Sequence, residues 1–134
     1  MASEYVVGVG PNQGAGYTTL QAAVDTIEAA GTHTDCVSND EIAVFEVYDF
    51  QDTTSLTISS SFWTTDATRY IYIRPGVDGT DGDGSHDGRS RDVTGSGYQL
   101  SVSAANAMNL SGQYIVIEGI VTGKHPHQFR QHPA

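Results

Sequence analysis

The chain has 134 residues, of which 38% are hydrophobic and 16% charged, the size and composition of one folded domain rather than a disordered chain. Its formal charge of -10 argues against nucleic acid as a direct partner, and no apolar run is long enough to span a membrane. The single cysteine, Cys36, excludes a disulfide within the chain, and residues 1–4 show no secretory leader, so we expect the protein to be made in a cytoplasm.

Residues 5–9 predict a short strand, and the stretch at 14–31 predicts a helix over residues 18–30. Thr18 is the expected N-cap, with Gln21 three residues later for a capping box, and Gly31 suits the left-handed position after the helix. The apolar positions share one narrow face: Leu20, Ala23, Val24 and Ile27. One amphipathic helix ahead of many strands predicts a cap over the open end of a strand stack.

An apolar and β-branched run predicts a strand at 43–48, alternating polarity predicts strands at 55–59, 69–74 and 98–103, and a last strand is expected at 113–118. Their apolar side chains are expected to face inward, while Tyr70 and Tyr72 face outward; the inward positions are Leu56, Ile58, Ile71, Ile73, Leu100 and Val102. The segments 45–48, 70–73 and 114–117 look alike, which is typical of repeating coils. The sequence therefore predicts a mainly β, solenoid-like stack with one N-terminal capping helix. A β-sandwich is the alternative, because short alternating strands look alike in both folds.

The expected organisation is one β-rich domain, residues 1–123, followed by an extended basic tail at 124–134. The domain contains a Gly/Asp-rich insertion at 76–97. The tail has Lys124, Arg130 and three histidines but no acid, so it suits docking on an acidic surface.

Three segments carry a family resemblance: GAGYTTLQAAVDTI at 14–27, TTDATRYIYIRPG at 64–76 and MNLSGQYIVIEGIVTG at 108–123. They resemble the N-terminal part of right-handed parallel β-helix proteins of the pectate-lyase-like type, and in particular phage and prophage structural proteins with that architecture. The resemblance implies a short right-handed parallel β-helix and a structural role. A full family member has many more coils, and the catalytic acids and arginine of the lyases have no counterpart here. We therefore expect no enzymatic activity.

The insertion carries a calcium candidate made of four closely spaced acids: Asp78, Asp81, Asp83 and Asp87. Calcium prefers several carboxylate oxygens on a flexible backbone. The spacing meets only the first positions of an EF-hand loop, and a solvated insertion built from turn residues is the competing interpretation.

No other cluster of residues predicts a cofactor or catalytic site. The glycines at 8–16 lack the spacing and the lysine of nucleotide-binding motifs. The prolines in the tail oppose alignment of its histidines around a metal ion. Asp49 and Asp52 follow a strand and Asp66 is expected in a turn, and a carboxylate pair that met across a cleft would suit glycoside hydrolysis. Acids at strand ends are more commonly turn formers.

The leading hypothesis is a structural protein of a virus particle, either a capsid decoration (cement) protein or a tail or fibre component. It would be made in the host cytoplasm and act in the virion through other virion subunits and its own copies, with a trimer expected. The interface candidates are Lys124, Phe129, Arg130 and Trp63. The alternative is a polysaccharide-binding or polysaccharide-degrading domain on the same fold, with a groove lined by Trp63 and tyrosines that takes a glycan.

Overall fold

The computed structural model describes residues 2–10, 14–48, 51–76, 99–101, 108–117 and 121–123, and within them the chain is mainly β, as predicted. Two short helices are present there, α1 (Leu20–Ala30) and α2 (Cys36–Asn39). The strands in chain order are β1 (Ser3–Val9), β2 (Glu41–Val47), β3 (Gln51–Asp52), β4 (Leu56–Ile58), β5 (Ile71–Pro75), β6 (Gln99–Ser101), β7 (Met108–Leu110), β8 (Ile115–Ile117) and β9 (Val121–Gly123).

These strands form three separate sheets in which every paired strand is parallel to its neighbour. The first sheet has the order β1-β2-β5-β8, the second β3-β6-β9 and the third β4-β7. The chain visits the sheets in turn, first through β2, β3 and β4, then through β5, β6 and β7, then through β8 and β9. In register, Ala43 lies beside Ile71 and Ile71 beside Ile115, so each return adds a layer to the stack.

The core lies between the sheets and is built from the residues that alternation places inward. Phe45, Ile71 and Ile73 of the first sheet are fully buried, as are Leu56 and Ile58 of the third. Leu100 is also fully buried. The inward positions predicted within the described residues are therefore confirmed.

Helix α1 confirms the predicted helix and its buried face, but its N-cap is Thr19, so the prediction of Thr18 was wrong. The Thr19 hydroxyl accepts a hydrogen bond from the Ala22 N–H at 2.9 Å. With Thr19 as the N-cap, the third residue after it is Ala22, whose side chain cannot complete a capping box, and the Gln21 side chain instead accepts from the Thr57 N–H and donates to Asp25. At the other end Gly31 has φ 74° and donates its N–H to the Ile27 carbonyl, as predicted.

Two long-range hydrogen bonds attach the start of α1 to the sheets. The buried Asp52 of β3 accepts from the Leu20 N–H at 2.7 Å, and Gln21 accepts from the Thr57 N–H of β4. β3 and β4 each pair through one edge, with β6 and β7 respectively. The helix thus lies over their other edges. This is the position that the expected capping helix requires.

The helix α2 and three of the strands, β3, β7 and β9, were not predicted. The helix falls in a segment interpreted as a loop, where the Asp35 side chain accepts from the Ser38 N–H at 2.9 Å and caps a single turn. β4, β6 and β8 are as short as β7 and β9, but each of them lies within a longer run that predicted a strand, which β3, β7 and β9 do not. Apart from Gly76, the predicted insertion at 76–97 lies outside the described residues, as do Val102 and the tail at 124–134.

Gly76 allows the close approach of Tyr48, which predicts a destabilising effect of Gly76→Ala. A Cβ at this position would lie 2.3 Å from the Tyr48 ring, and Tyr48 is buried with its hydroxyl bonded to Glu46. We expect a loss of about 1–3 kcal/mol, measured by urea unfolding. The control is Gly14→Ala, since a Cβ there meets nothing within 4 Å. Equal stability of the two variants would contradict the prediction.

Candidate functional site

The outer face of the first sheet gathers aromatic and charged side chains in rows across the strands. Because Ala43, Phe45, Ile71 and Ile73 face inward, the residues between and beside them face outward. The rows follow the register: Val6, Val44, Tyr72 and Val116 form one, and Gly8, Glu46 and Arg74 form the next. One step earlier along the strands, Glu4, Ile42, Tyr70 and Tyr114 form a third row, which we call the tyrosine row.

Arg74 joins three strands by binding two carboxylates. Its guanidinium donates to Glu46 Oε2 from Nε at 3.0 Å and from Nη2 at 2.8 Å, and to both oxygens of Glu4 at 3.0 and 3.2 Å. It also lies 5.2 Å from the centroid of the Tyr72 ring. Glu4 and Glu46 lie on opposite sides of the row that contains Val6 and Val44. The guanidinium of Arg74, which binds both carboxylates, therefore crosses that row. This accounts for the full burial of the outward-facing Val44.

The electrostatics of Arg74 favour its charged form. Burial lowers the pKa of its guanidinium, but the hydrogen bonds and charges of Glu4 and Glu46 outweigh burial and raise the pKa above its ordinary value. The arrangement is a fixed ion pair with two carboxylates, and it holds Arg74 in one orientation.

The tyrosine row is more exposed than the core rows beneath it. Tyr114 is 55% exposed, and Tyr70 is partly exposed. Their strands are adjacent, since the Ile71 N–H donates to the Tyr114 carbonyl at 3.1 Å. The Tyr70 and Tyr72 ring centroids are 6.4 Å apart with the planes tilted by 58°. Aromatic rings thus cover neighbouring positions on this face.

An open groove of about 710 Å³ adjoins this row. It is lined by Ala2, Glu4, Asp40, Ile42, Ala67, Thr68, Arg69 and Tyr70. Arg69 donates from Nε to Asp40 at 3.0 Å and lies 3.6 Å from Asp66. The backbone N–H groups of Thr68 and Arg69 donate to Asp66 and lower the pKa of its carboxyl. The groove therefore presents charged groups in fixed positions beside aromatic surface.

Burial of the inward-facing residues falls at the far end of the stack, which we call the distal end: Met108, Leu110, Ile115 and Ile117. Met108, Ile115 and Ile117 are only partly buried, although their neighbours in register, Leu56, Ile71 and Ile73, are fully buried. Leu110, opposite Ile58, is 39% exposed. Within the described residues, no strand pairs with the outer edges of β7, β8 and β9.

Trp63 does not present a surface, which corrects its expected role at an interface or in a sugar-binding groove. It is 4% exposed and packs edge-on against Phe45, with ring centroids 6.4 Å apart. Its indole N–H donates to Glu28 at 2.7 Å. The aromatic ring is therefore used within the core.

The other interface candidates lie outside the described residues; they are Lys124, Phe129 and Arg130. The calcium candidates lie outside them too; they are Asp78, Asp81, Asp83 and Asp87. Asp49 lies there too. Among the residues that are described, no group of three or more His, Cys, Asp or Glu side chains is placed to hold a metal ion.

Asp52 and Cys36 have structural positions. Asp52 is buried and accepts from the backbone N–H groups of Leu20 and Thr54, whereas Asp66 accepts from Thr68 and Arg69. Cys36 is fully buried, and burial raises the pKa of its thiol to about 11, which opposes formation of the reactive thiolate.

Arg69, Arg74 and Tyr114 were not predicted from the sequence as residues of this outer face. Glu46 and Arg74 occupy equivalent outward positions in neighbouring strands of the first sheet, and this is the pattern that relates them. Finding it requires the register between strands, which the sequence alone does not contain.

Comparison of the chain with protein-family models, with curated proteins and with solved structures gave no match. Neither described helix has the length and apolar character needed to cross a membrane. Function therefore has to be inferred from the geometry of the outer face and the distal end.

Proposed function

We propose that the described strands are the coils of a short right-handed parallel β-helix capped by α1. The parallel pairing and the regular order in which the chain visits the three sheets support this fold. A β-sandwich pairs its strands antiparallel, and parallel crossovers are almost always right-handed. The coils β2–β4 and β5–β7 each contribute one strand to every sheet, and β8 and β9 extend the first and second sheets.

We propose further that the protein is a structural subunit that assembles through its distal end. The observation that supports this is the loss of burial from Ile71 and Ile73 to Ile115 and Ile117, together with the exposure of Leu110. Partly exposed apolar side chains, and strand edges with which no described strand pairs, favour association with another polypeptide. The proposed partner is a second copy of this chain, in a closed oligomer such as a trimer.

The proposed location is a virus particle, as a capsid decoration protein or a tail or fibre component. The support is the resemblance of residues 14–27, 64–76 and 108–123 to phage structural proteins. In this role the protein acts by adhesion to virion subunits, and no chemical step is required of it.

The distal end predicts the effect of Leu110→Lys on the mass of the protein in solution. We expect the unaltered chain to run as an oligomer in size-exclusion chromatography with light scattering, and Leu110→Lys to run as a folded monomer. A lysine at an exposed edge opposes pairing with another chain. Because each copy carries a charge of -10, added salt should strengthen association of the unaltered chain.

The matched control is Val6→Lys, which introduces the same charge at an exposed valine. Val6 lies on β1, the edge strand of the first sheet that is farthest from β8. Val6→Lys should keep the oligomeric mass of the unaltered chain. A monomeric unaltered chain at every salt concentration, or an equal mass for both variants, would refute assembly through the distal end. Circular dichroism checks that each variant remains folded.

A further inference from the structure

We propose that the groove beside Tyr70 binds the tail, residues 124–134, of a second copy of this chain. The inference rests on the proposed assembly and deepens it, because it names a second contact between copies that the distal end brings together. The tail lies outside the described residues, and its sequence contains basic and aromatic side chains without an acid.

The groove has apolar lining and the width of a short extended segment. Its lining includes Ala2, Ile42, Ala67 and Tyr70. The register places Ile42 between Glu4 and Tyr70 on three adjacent strands, which span about 10 Å at the usual strand spacing. An extended chain advances about 3.3 Å per residue, so about three residues of a tail cross this span.

The acidic side chains of the groove have capacity for a further cation. The side chains of Glu4 and Asp40 are 43% and 54% exposed. Arg69 binds Asp40 through Oδ1, and an ionised carboxylate offers about four acceptor sites in all. On this face four carboxylates stand against two guanidiniums, within a chain whose net charge is -10. The surface therefore attracts a basic segment.

The tail offers the complementary groups in adjacent positions. Arg130 follows Phe129 directly, and Lys124 adds a further cation. In the proposed contact the Phe129 ring packs on the apolar lining, and the Arg130 guanidinium donates to the Asp40 carboxylate. Hydrogen bonds between a guanidinium and a carboxylate are about twice as strong as those between neutral groups.

The winding of the chain favours the tail of a second copy over that of the same chain. The passage from the second sheet back to the first occupies residues 53–70 in one coil and 102–114 in the next. Arg130 follows Gly123 of β9 after a much shorter stretch, so the same winding does not bring it to the first sheet. The groove also lies along β1 and β2, whereas β9 is on the side of its sheet away from the helix cap.

The tail contact adds to assembly through the distal end and does not replace it. One short segment buries much less area than a stable interface requires. Once the distal ends have associated, however, the tail of one copy stays close to the groove of another, and its effective concentration rises to about the millimolar range.

Binding of a fluorescein-labelled peptide with the sequence of residues 124–134 to the full chain, followed by fluorescence anisotropy, tests the groove. Ala67→Lys places a cation in the groove lining and should weaken binding at least fivefold in Kd. The matched control is Ala29→Lys, which makes the same change at an exposed position of α1 and should bind as the unaltered chain does. Added salt should weaken this binding, whereas it strengthens association through the distal end.

A photoreactive p-benzoylphenylalanine at position 129 of the full chain tests which copy supplies the tail. In a mixture with isotope-labelled chains, mass spectrometry should find cross-links from the tail of one copy to residues 67–70 of another. Cross-links confined to single chains would overturn the assignment to a second copy. No peptide binding, or equal Kd values for Ala67→Lys and Ala29→Lys, would overturn the groove as the binding site.

Leu110→Lys distinguishes failure of this inference from failure of the proposed function. This variant should bind the peptide as the unaltered chain does, and it should lose the cross-links between copies together with the oligomeric mass. An unaltered chain that binds the peptide but stays monomeric would refute assembly through the distal end while supporting the groove as a binding site.

Discussion

Phe45→Ala is expected to lower the free energy of unfolding by about 3–5 kcal/mol. Phe45 is fully buried on β2, between β1 and β5, and its ring meets the edge of Trp63 at a centroid distance of 6.4 Å. Removing the ring leaves a cavity in the core beside Trp63, and it also removes the aromatic contact. Urea unfolding followed by circular dichroism measures the change.

Phe62→Ala is the matched control for this experiment, because it makes the same chemical change at an exposed ring one residue before Trp63. Its effect should stay within about 0.5 kcal/mol. The fluorescence of Trp63 gives a second reading, since the emission should shift to longer wavelength only when Phe45 is lost. A small effect of Phe45→Ala with unchanged emission would mean that Phe45 is not central to the core.

The sequence predicts those parts of the fold that depend on local patterns. The apolar spacing from Leu20 to Ile27 identifies α1 and its buried face, and Gly31 identifies its end. Alternating polarity identifies β5 and predicts which of its side chains face the core, namely Ile71 and Ile73. Each of these patterns lies within about ten consecutive residues, and the burial of the side chains in the folded chain agrees with the pattern.

The rest of the fold depends on partners that are distant in sequence. At the start of α1, Asp52 accepts from the Leu20 N–H, and the Gln21 side chain accepts from the Thr57 N–H. β3, with two residues, is defined only by its pairing with β6. No local rule contains these contacts, so sequence reasoning placed the N-cap wrongly and missed the strand.

The candidate site shows the same division. The similarity of segments 70–73 and 114–117 agrees with the register, so the pairing of Tyr70 with Tyr114 follows from it. The similarity of segment 45–48 to these two does not agree with the register. Its first residue, Phe45, lies beside Ile73 and not beside Tyr70. Without that register, the meeting of Glu46 and Arg74 cannot be anticipated.

Asp52→Ala is expected to destabilise the protein by about 3 kcal/mol. Its buried carboxylate accepts from the Leu20 N–H at 2.7 Å and from the Thr54 N–H at 3.0 Å. Alanine leaves both donors without this acceptor, and it removes a negative charge from the N-terminus of α1, where the helix dipole favours one. We expect the loss in urea unfolding, accompanied by faster amide exchange in the first turn of α1.

The control is Asp25→Ala, which removes an exposed carboxylate of the same helix that accepts only a side-chain hydrogen bond from Gln21 among the contacts described. Its effect should stay below about 0.5 kcal/mol. Asp52→Asn should be intermediate, because an amide oxygen can serve one of the two backbone donors while the amide nitrogen faces the other. If Asp52→Ala proved as mild as Asp25→Ala, the attachment of α1 to the sheets would not depend on this carboxylate, and packing of Leu20, Val24 and Ile27 alone would have to hold the cap in place.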